Sequence, residues 1–118
     1  MTVEADIFTL LGSRVDNRVY PDVAPPGVDK PYITYQQIGG DVVSFLESAM
    51  PSKRNGRFQF NVWATTRLAA SALMRQVEAD LVTSTTLRAE AMGGAVSTYE
   101  EETKLYGSRQ FFSIWFDV

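Results

Sequence analysis

The chain contains neither cysteine nor histidine among its 118 residues. These absences exclude disulfides, thiol catalysis, cysteine- or histidine-ligated zinc, and the Ser-His and Cys-His nucleophile pairs. Long apolar runs are also missing, and the acidic first residues lack the basic segment of a secretory signal. We therefore expect a soluble protein of a reducing cytosol that does not associate with membranes.

Basic residues are in the minority, with 11 lysines and arginines against 14 acids and a net charge of -3. This balance argues against a protein that coats DNA or anionic membranes. With 45% hydrophobic residues, the chain can bury a core without a metal or a disulfide. No internal repeat divides the sequence, so a single domain over residues 1–118 is expected.

The first half of the chain is predicted to form a short helix and two strands. Thr2 is placed to cap the helix, which ends at Gly12, and a brief strand follows that Pro21 stops. After a proline-rich loop, residues 32–43 are predicted to form a longer strand with a bulge or bend at its glycine pair. Residues 45–50 fit either a helical turn or a hairpin arm.

The second half contains the most regular patterns. Residues 57–63 alternate as a strand, Thr65 or Thr66 caps a long alanine-rich helix, and residues 109–118 alternate again. Shorter strands are expected at residues 87–92 and 96–99. The order predicts an α+β fold of two layers, with a mainly antiparallel sheet of four to five strands and two helices on one face.

The sheet face that no predicted helix covers is a candidate subunit interface. If Phe58 and Phe60 face the helices, alternation places six other side chains together on the opposite face: Gln59, Asn61, Trp63, Phe111, Ser113 and Trp115. Two indoles among hydrogen-bonding groups are typical of subunit interfaces. The alternative is that a loop, such as the proline-rich segment, covers them.

A basic segment is a second candidate. Lys53, Arg54 and Arg57 surround Asn55-Gly56, a dipeptide that is typical of hairpin turns, so a charged hairpin tip is predicted. Such a tip could contact phosphate, or it could simply be solvated.

Carboxylates are the remaining candidates for catalysis or metal binding. The acidic run Glu100 to Glu102 is expected to be a solvated turn, although a divalent-metal enzyme using it with Asp6, Asp41 or Asp80 is an alternative. Neither glycine pair has the spacing of a phosphate loop. We therefore predict no catalytic residues, no metal and no cofactor.

The order of motifs resembles the tail completion, or tail-terminator-like, proteins of long-tailed phages and prophages. The resemblance spans nearly the whole chain, in the segments VEADIFTLLG, RVYPDVAPPG followed by PYITYQQIGG, RFQFNVWA, and TKLYGSRQFFSIWFDV. It implies a small α+β domain and a non-enzymatic virion protein.

The resemblance also implies partners and a location. Such proteins form a ring, commonly a hexamer, at the head-proximal end of the tail tube, where they stop tube growth and contact the head-tail connector. The expected partners are a second copy, the tube protein, the connector, and DNA that passes through the lumen without sequence-specific binding. The location is the virion tail. Alternatives are a head-tail adaptor, a tube protein, or a monomeric domain that binds a peptide.

Overall fold

The computed structural model describes residues 2–41 and 53–117. Two helices pack against a sheet of six strands, which confirms the predicted α+β class and exceeds the expected strand count by one. The helices are α1 (Val3–Leu11) and α2 (Arg67–Thr83), and the strands are β1 (Val19–Pro21), β2 (Tyr32–Gln37), β3 (Lys53–Ala64), β4 (Glu90–Ala91), β5 (Val96–Glu100) and β6 (Leu105–Asp117).

Threonine caps begin both helices. The Thr2 hydroxyl accepts a hydrogen bond from the Ala5 amide at 3.1 Å, as predicted. Thr66, rather than Thr65, caps α2 by accepting from the Ala69 amide at 3.1 Å. Each cap satisfies an amide that the first helical turn leaves unpaired, and so fixes where the helix starts.

The sheet is built around the two long strands β3 and β6. They pair antiparallel without interruption from Lys53 opposite Asp117 to Ala64 opposite Tyr106. β2 pairs antiparallel with the other side of β3, and β1 adds to β2 in parallel. β4 and β5 both pair with the outer side of β6, so they form one interrupted edge.

A bulge interrupts that edge. Five residue steps separate Ala91 from Val96, whereas three separate their β6 partners, so two residues are extra. The buried Gln110 amide fills the gap by donating to the Gly93 carbonyl at 2.9 Å and to the Glu78 carboxylate at 2.5 Å. Gln110 thereby ties the bulge to α2.

The core lies between the helices and one face of the sheet. Phe60 packs edge-to-face on Phe112, with ring centroids 5.6 Å apart. Helix side chains spaced four apart in α2, together with Ile7 and Leu11 of α1, join the same cluster: Leu73, Val77 and Leu81. Burial of each large apolar side chain contributes about 1.5–3 kcal/mol, which holds both helices on this face.

One prediction about the β2–β3 region is wrong, because Asn55-Gly56 lies inside β3 instead of at a hairpin tip. β2 ends at Gln37, earlier than expected, but Ile38 and Gly39 both hydrogen-bond to Arg57, at 2.7 Å each, so a bulge is present beside the glycine pair as predicted. At Gly40, φ is +147° and a Cβ would lie 2.2 Å from the Asn55 carbonyl oxygen, so this close approach requires glycine. The alternatives for residues 45–50 lie outside the described residues.

Candidate subunit interface

The six residues predicted to share a sheet face do so. The register sets Gln59 opposite Phe111 and Asn61 opposite Arg109, and β6 alternation adds Ser113 and Trp115 to that face. We call this the outer face, because the helices pack on the other one. Its use as a subunit interface stays a prediction.

One end of the outer face is a cleft around Trp63. A Cβ on Gly107 would lie 2.8 Å from the Trp63 Cζ3 atom, so the indole rests directly on the β6 backbone. The proline-rich loop, including Pro25 and Pro26, forms one wall of a cleft of about 480 Å³. The covering loop considered from the sequence thus borders the Trp63 end of the face.

The cleft floor is polar. Asn61 accepts a hydrogen bond from Arg109 Nε at 3.0 Å, which holds the guanidinium against the sheet. Tyr32, directly opposite Trp63, is half-buried, and this burial and then the negative charge of Glu100 raise the pKa of its phenol. The cleft therefore offers amide, hydroxyl and cationic donors beside two aromatic rings.

The other end of the outer face is more open and more apolar. Trp115 is 39% exposed, and Phe111, two alternations away on β6, is half-buried. Two residues absent from the sequence-based interface prediction join them. Met92 donates its amide to the Phe111 carbonyl at 2.8 Å, and Val96 pairs with Arg109. We call Met92, Val96, Phe111 and Trp115 the edge strip.

Met92 and Val96 escape sequence analysis because a two-residue bulge separates them. The bulge shifts the register, so simple alternation from one strand into the next fails at Gly93-Gly94. The Gly93-Gly94 pair was the feature of the sequence that could have indicated this bulge. Both side chains are exposed, at 41% and 54%, which makes the strip more apolar than predicted.

Ser113 and Asn55 are hydrogen-bonded to each other at the Trp115 end of the outer face. The Asn55 side-chain amide donates to the Ser113 hydroxyl at 2.7 Å, and its carbonyl oxygen accepts from the Asp41 amide at 2.9 Å. Asn55 is buried, so these bonds offset the cost of removing its amide from water. Ser113 therefore has a structural partner within the chain.

The three basic residues do not form a loop tip. All lie in β3, where alternation directs Lys53 and Arg57 to the outer face and Arg54 to the other. Lys53 donates to Asp117 at 2.6 Å, and this hydrogen bond and charge lower the pKa of the Asp117 carboxyl. Their predicted contact with phosphate stays untested.

The candidate carboxylates serve separate local contacts. Asp80 forms a two-bond ion pair with Arg14, at 2.8 and 2.9 Å, while Glu100 accepts from the Thr103 hydroxyl at 2.7 Å. The turn that follows β5 includes Glu101 and Glu102, both exposed, as predicted. Among the described residues, no three His, Cys, Asp or Glu side chains are grouped to hold a metal ion.

Comparisons with known proteins identify the class. Residues 2–117 match the family described as tail completion protein gp17, so the chain belongs to the tail completion protein family. It is a structural protein of a phage tail. A comparison with curated proteins gives no match.

A solved structure supports the fold. A chain in the virion of a native gene transfer agent particle superposes with a TM-score of 0.66 at 17% identity, over 98% of this chain and 95% of that one. At this identity, the match establishes the fold. No helix in residues 2–41 or 53–117 has the length and apolar character needed to cross a membrane.

Proposed function

We propose that the protein forms a ring, a hexamer by the family resemblance, at the head-proximal end of the tail tube, terminates tube growth and helps to join the head. The family match over residues 2–117 carries this proposal. Capping of this kind is a binding event and requires no bond chemistry. The proposed location is the virion tail, after assembly in the bacterial cytoplasm.

The outer face supports subunit association. It combines a polar cleft at Trp63 with an exposed apolar strip ending at Trp115, and no described helix covers it. Large aromatic side chains in a polar surround are the usual anchors of protein interfaces. A ring of identical subunits requires two different contacting surfaces on each copy. The polar cleft and the apolar strip are two such different surfaces on one copy.

The ring has two further proposed partners and a lumen. One ring surface binds the last ring of tube protein, and the other binds the head-tail connector. DNA passes through the lumen without sequence-specific contacts, and the net charge of -3 is compatible with weak phosphate binding. Arg54 and Arg57 lie on opposite faces of β3, so their charges are reversed separately. A change in DNA ejection would support a lumen position for the residue reversed, whereas unchanged ejection in both variants would contradict a lumen role for either.

Deletion of the gene tests the proposal directly. Loss of a terminator should yield tubes longer than those of the wild type, measured by negative-stain microscopy, and purified protein should restore normal length when it is present during tube growth. Absence of tubes would indicate a tube protein instead. Tubes of normal length that fail to join heads would indicate an adaptor.

The assembly state of the purified protein is the matching in vitro measurement. Light scattering on a sizing column should detect a closed ring, either alone or after addition of purified tail tubes. A protein that stays monomeric under both conditions and does not bind tubes would contradict the ring and support a peptide-binding domain.

A further inference from the structure

The two edges of the sheet differ in their capacity to accept another strand. The backbone groups of Arg18 and Asp22, at the ends of β1, hydrogen-bond to β2. Alternation therefore directs the backbone groups of Val19 and Pro21 away from β2, toward the open edge of the sheet. Pro21 has no amide hydrogen, and its carbonyl already accepts from the Val23 amide at 2.7 Å. The β1 edge is therefore nearly closed to sheet extension.

The β5 edge is open. β6 pairs with one side of β5, and within residues 2–41 and 53–117 no strand pairs with the other side. Its sequence, VSTYE, is rich in β-branched and aromatic residues, and Val96 and Tyr99 are 54% and 47% exposed. Such an edge offers backbone donors and acceptors together with apolar side chains.

We propose that β5 pairs antiparallel with β5 of a second copy, with Thr98 on the two-fold axis. This register sets Thr98 opposite Thr98, a pair whose hydroxyls can hydrogen-bond and stabilise an antiparallel sheet. It also sets Ser97 opposite Tyr99, and Val96 opposite Glu100. The small serine leaves room for the exposed tyrosine ring, which already packs on Tyr106 with centroids 4.9 Å apart.

Repulsion between the two Glu100 carboxylates favours antiparallel over parallel pairing of the β5 strands. In this alignment the two Glu100 carboxylates are separated by four residue steps along the strands, about 13 Å. That distance exceeds the Debye length of about 8 Å at physiological salt, so their repulsion is screened. A parallel, in-register pair would instead place the two carboxylates on adjacent strands, about 5 Å apart.

The bulge limits the contact to a finite dimer. β5 has five residues and is cut off from β4 at Gly93-Gly94, so the shared ladder is only about 17 Å long. The contact is isologous, because each β5 uses its single open side to bind the other β5, so a paired copy has no second β5 edge to offer. An interface this short belongs to the weak, concentration-dependent class. Because the contact is two-fold, it cannot by itself close a ring, and it goes beyond the function proposed above.

Single cysteines test this register in the full chain, which has no natural cysteine. Thr98→Cys places a thiol on the axis, and Ser97→Cys is the matched control one position away. Both variants are oxidised with copper-phenanthroline over a concentration series, because a disulfide requires Cβ atoms about 4 Å apart and the two Ser97→Cys positions would lie about 7–8 Å apart. The products are resolved by non-reducing denaturing electrophoresis, after circular dichroism has confirmed folding. We expect Thr98→Cys to yield at least fivefold more covalent dimer than Ser97→Cys at micromolar concentrations.

A double variant adds an independent check. Ser97→Cys combined with Tyr99→Cys should recover cross-linking, because the two thiols then face each other across the axis. Equal yields from Thr98→Cys and Ser97→Cys, or no dimer from Thr98→Cys, would overturn the pairing. Tail length in the deletion strain is independent of this result, so failure here leaves the capping proposal separately testable.

Discussion

The two tryptophans lie on the same sheet face but in opposite surroundings. Trp63 has a strand on each side, with Tyr32 on β2 and the bare backbone of Gly107 on β6. Trp115 faces Asn55 on β3, but β4 pairs with β6 only as far as Ser113, so no described strand flanks its other side. Trp115 pairs with Asn55, which lies eight residues before Trp63 on β3, so the two tryptophans are about 26 Å apart along the strand.

This difference teaches how one alternating pattern can serve two purposes. Where both neighbouring strands continue, an outward aromatic ring is supported by its own chain and shapes a cleft. Where the flanking strand ends, the ring stays exposed and is available to another chain. Stability and association should therefore respond differently to substitutions at the two ends.

The largest loss of stability is expected at Gly107. A leucine there would meet Trp63 and the Thr98 hydroxyl, which lie 2.8 and 2.5 Å from a Cβ built at this position. Overpacking of this kind costs about 3 kcal/mol, so the free energy of unfolding in urea should fall by that amount. Gly94→Ala is the control, because no atom lies within 4 Å of its Cβ, and it should change stability by less than about 0.5 kcal/mol.

Substitution of each tryptophan by alanine should have different effects on stability and on binding at the two ends of the outer face. Trp63→Ala removes a half-buried ring packed on β6 and should lower the free energy of unfolding by about 2 kcal/mol, whereas Trp115→Ala should cost less than about 1 kcal/mol. Binding to tail tubes, measured by cosedimentation, should show the reverse order. Equal losses of stability in the two variants would contradict the comparison.

The outer face was predictable because alternation in long strands is a local property. Alternation alone assigns each side chain in residues 57–63 and 109–117 to the inner or the outer face, whichever strand lies alongside. The β3–β6 register then brings Gln59 beside Phe111. The α+β class likewise followed from periodicity and threonine caps. The order of motifs gave the tail completion family, which the match over residues 2–117 confirms.

The errors arose where distant contacts override local preference. Asn55-Gly56 is a strong turn signal, yet Asn55 is held in β3 by Ser113, 58 residues away in sequence, and by the Asp41 amide. The edge strip depends on a bulge that Gln110 fixes from β6 and α2. Neither arrangement leaves a periodic trace in the sequence, so neither Met92 nor Val96 could be assigned to the face.

The smallest expected effect lies at the Trp115 end, in the exposed ion pair of Lys53 and Asp117. The hydrogen bond from Lys53 lowers the pKa of Asp117 in the folded protein, so the pair stabilises the fold above the ordinary pKa of about 4, and this contribution is lost as the pH falls through the lowered value. In Lys53→Gln, carboxyl NMR titration should show the pKa of Asp117 returning toward its ordinary value, and the difference in urea midpoint from the wild type should disappear in acid. Arg54→Gln, which removes a charge from the other face of the same strand, should leave the Asp117 titration nearly unchanged. A pKa of Asp117 that is equally low in Lys53→Gln would show that the pair does not order this end of the sheet.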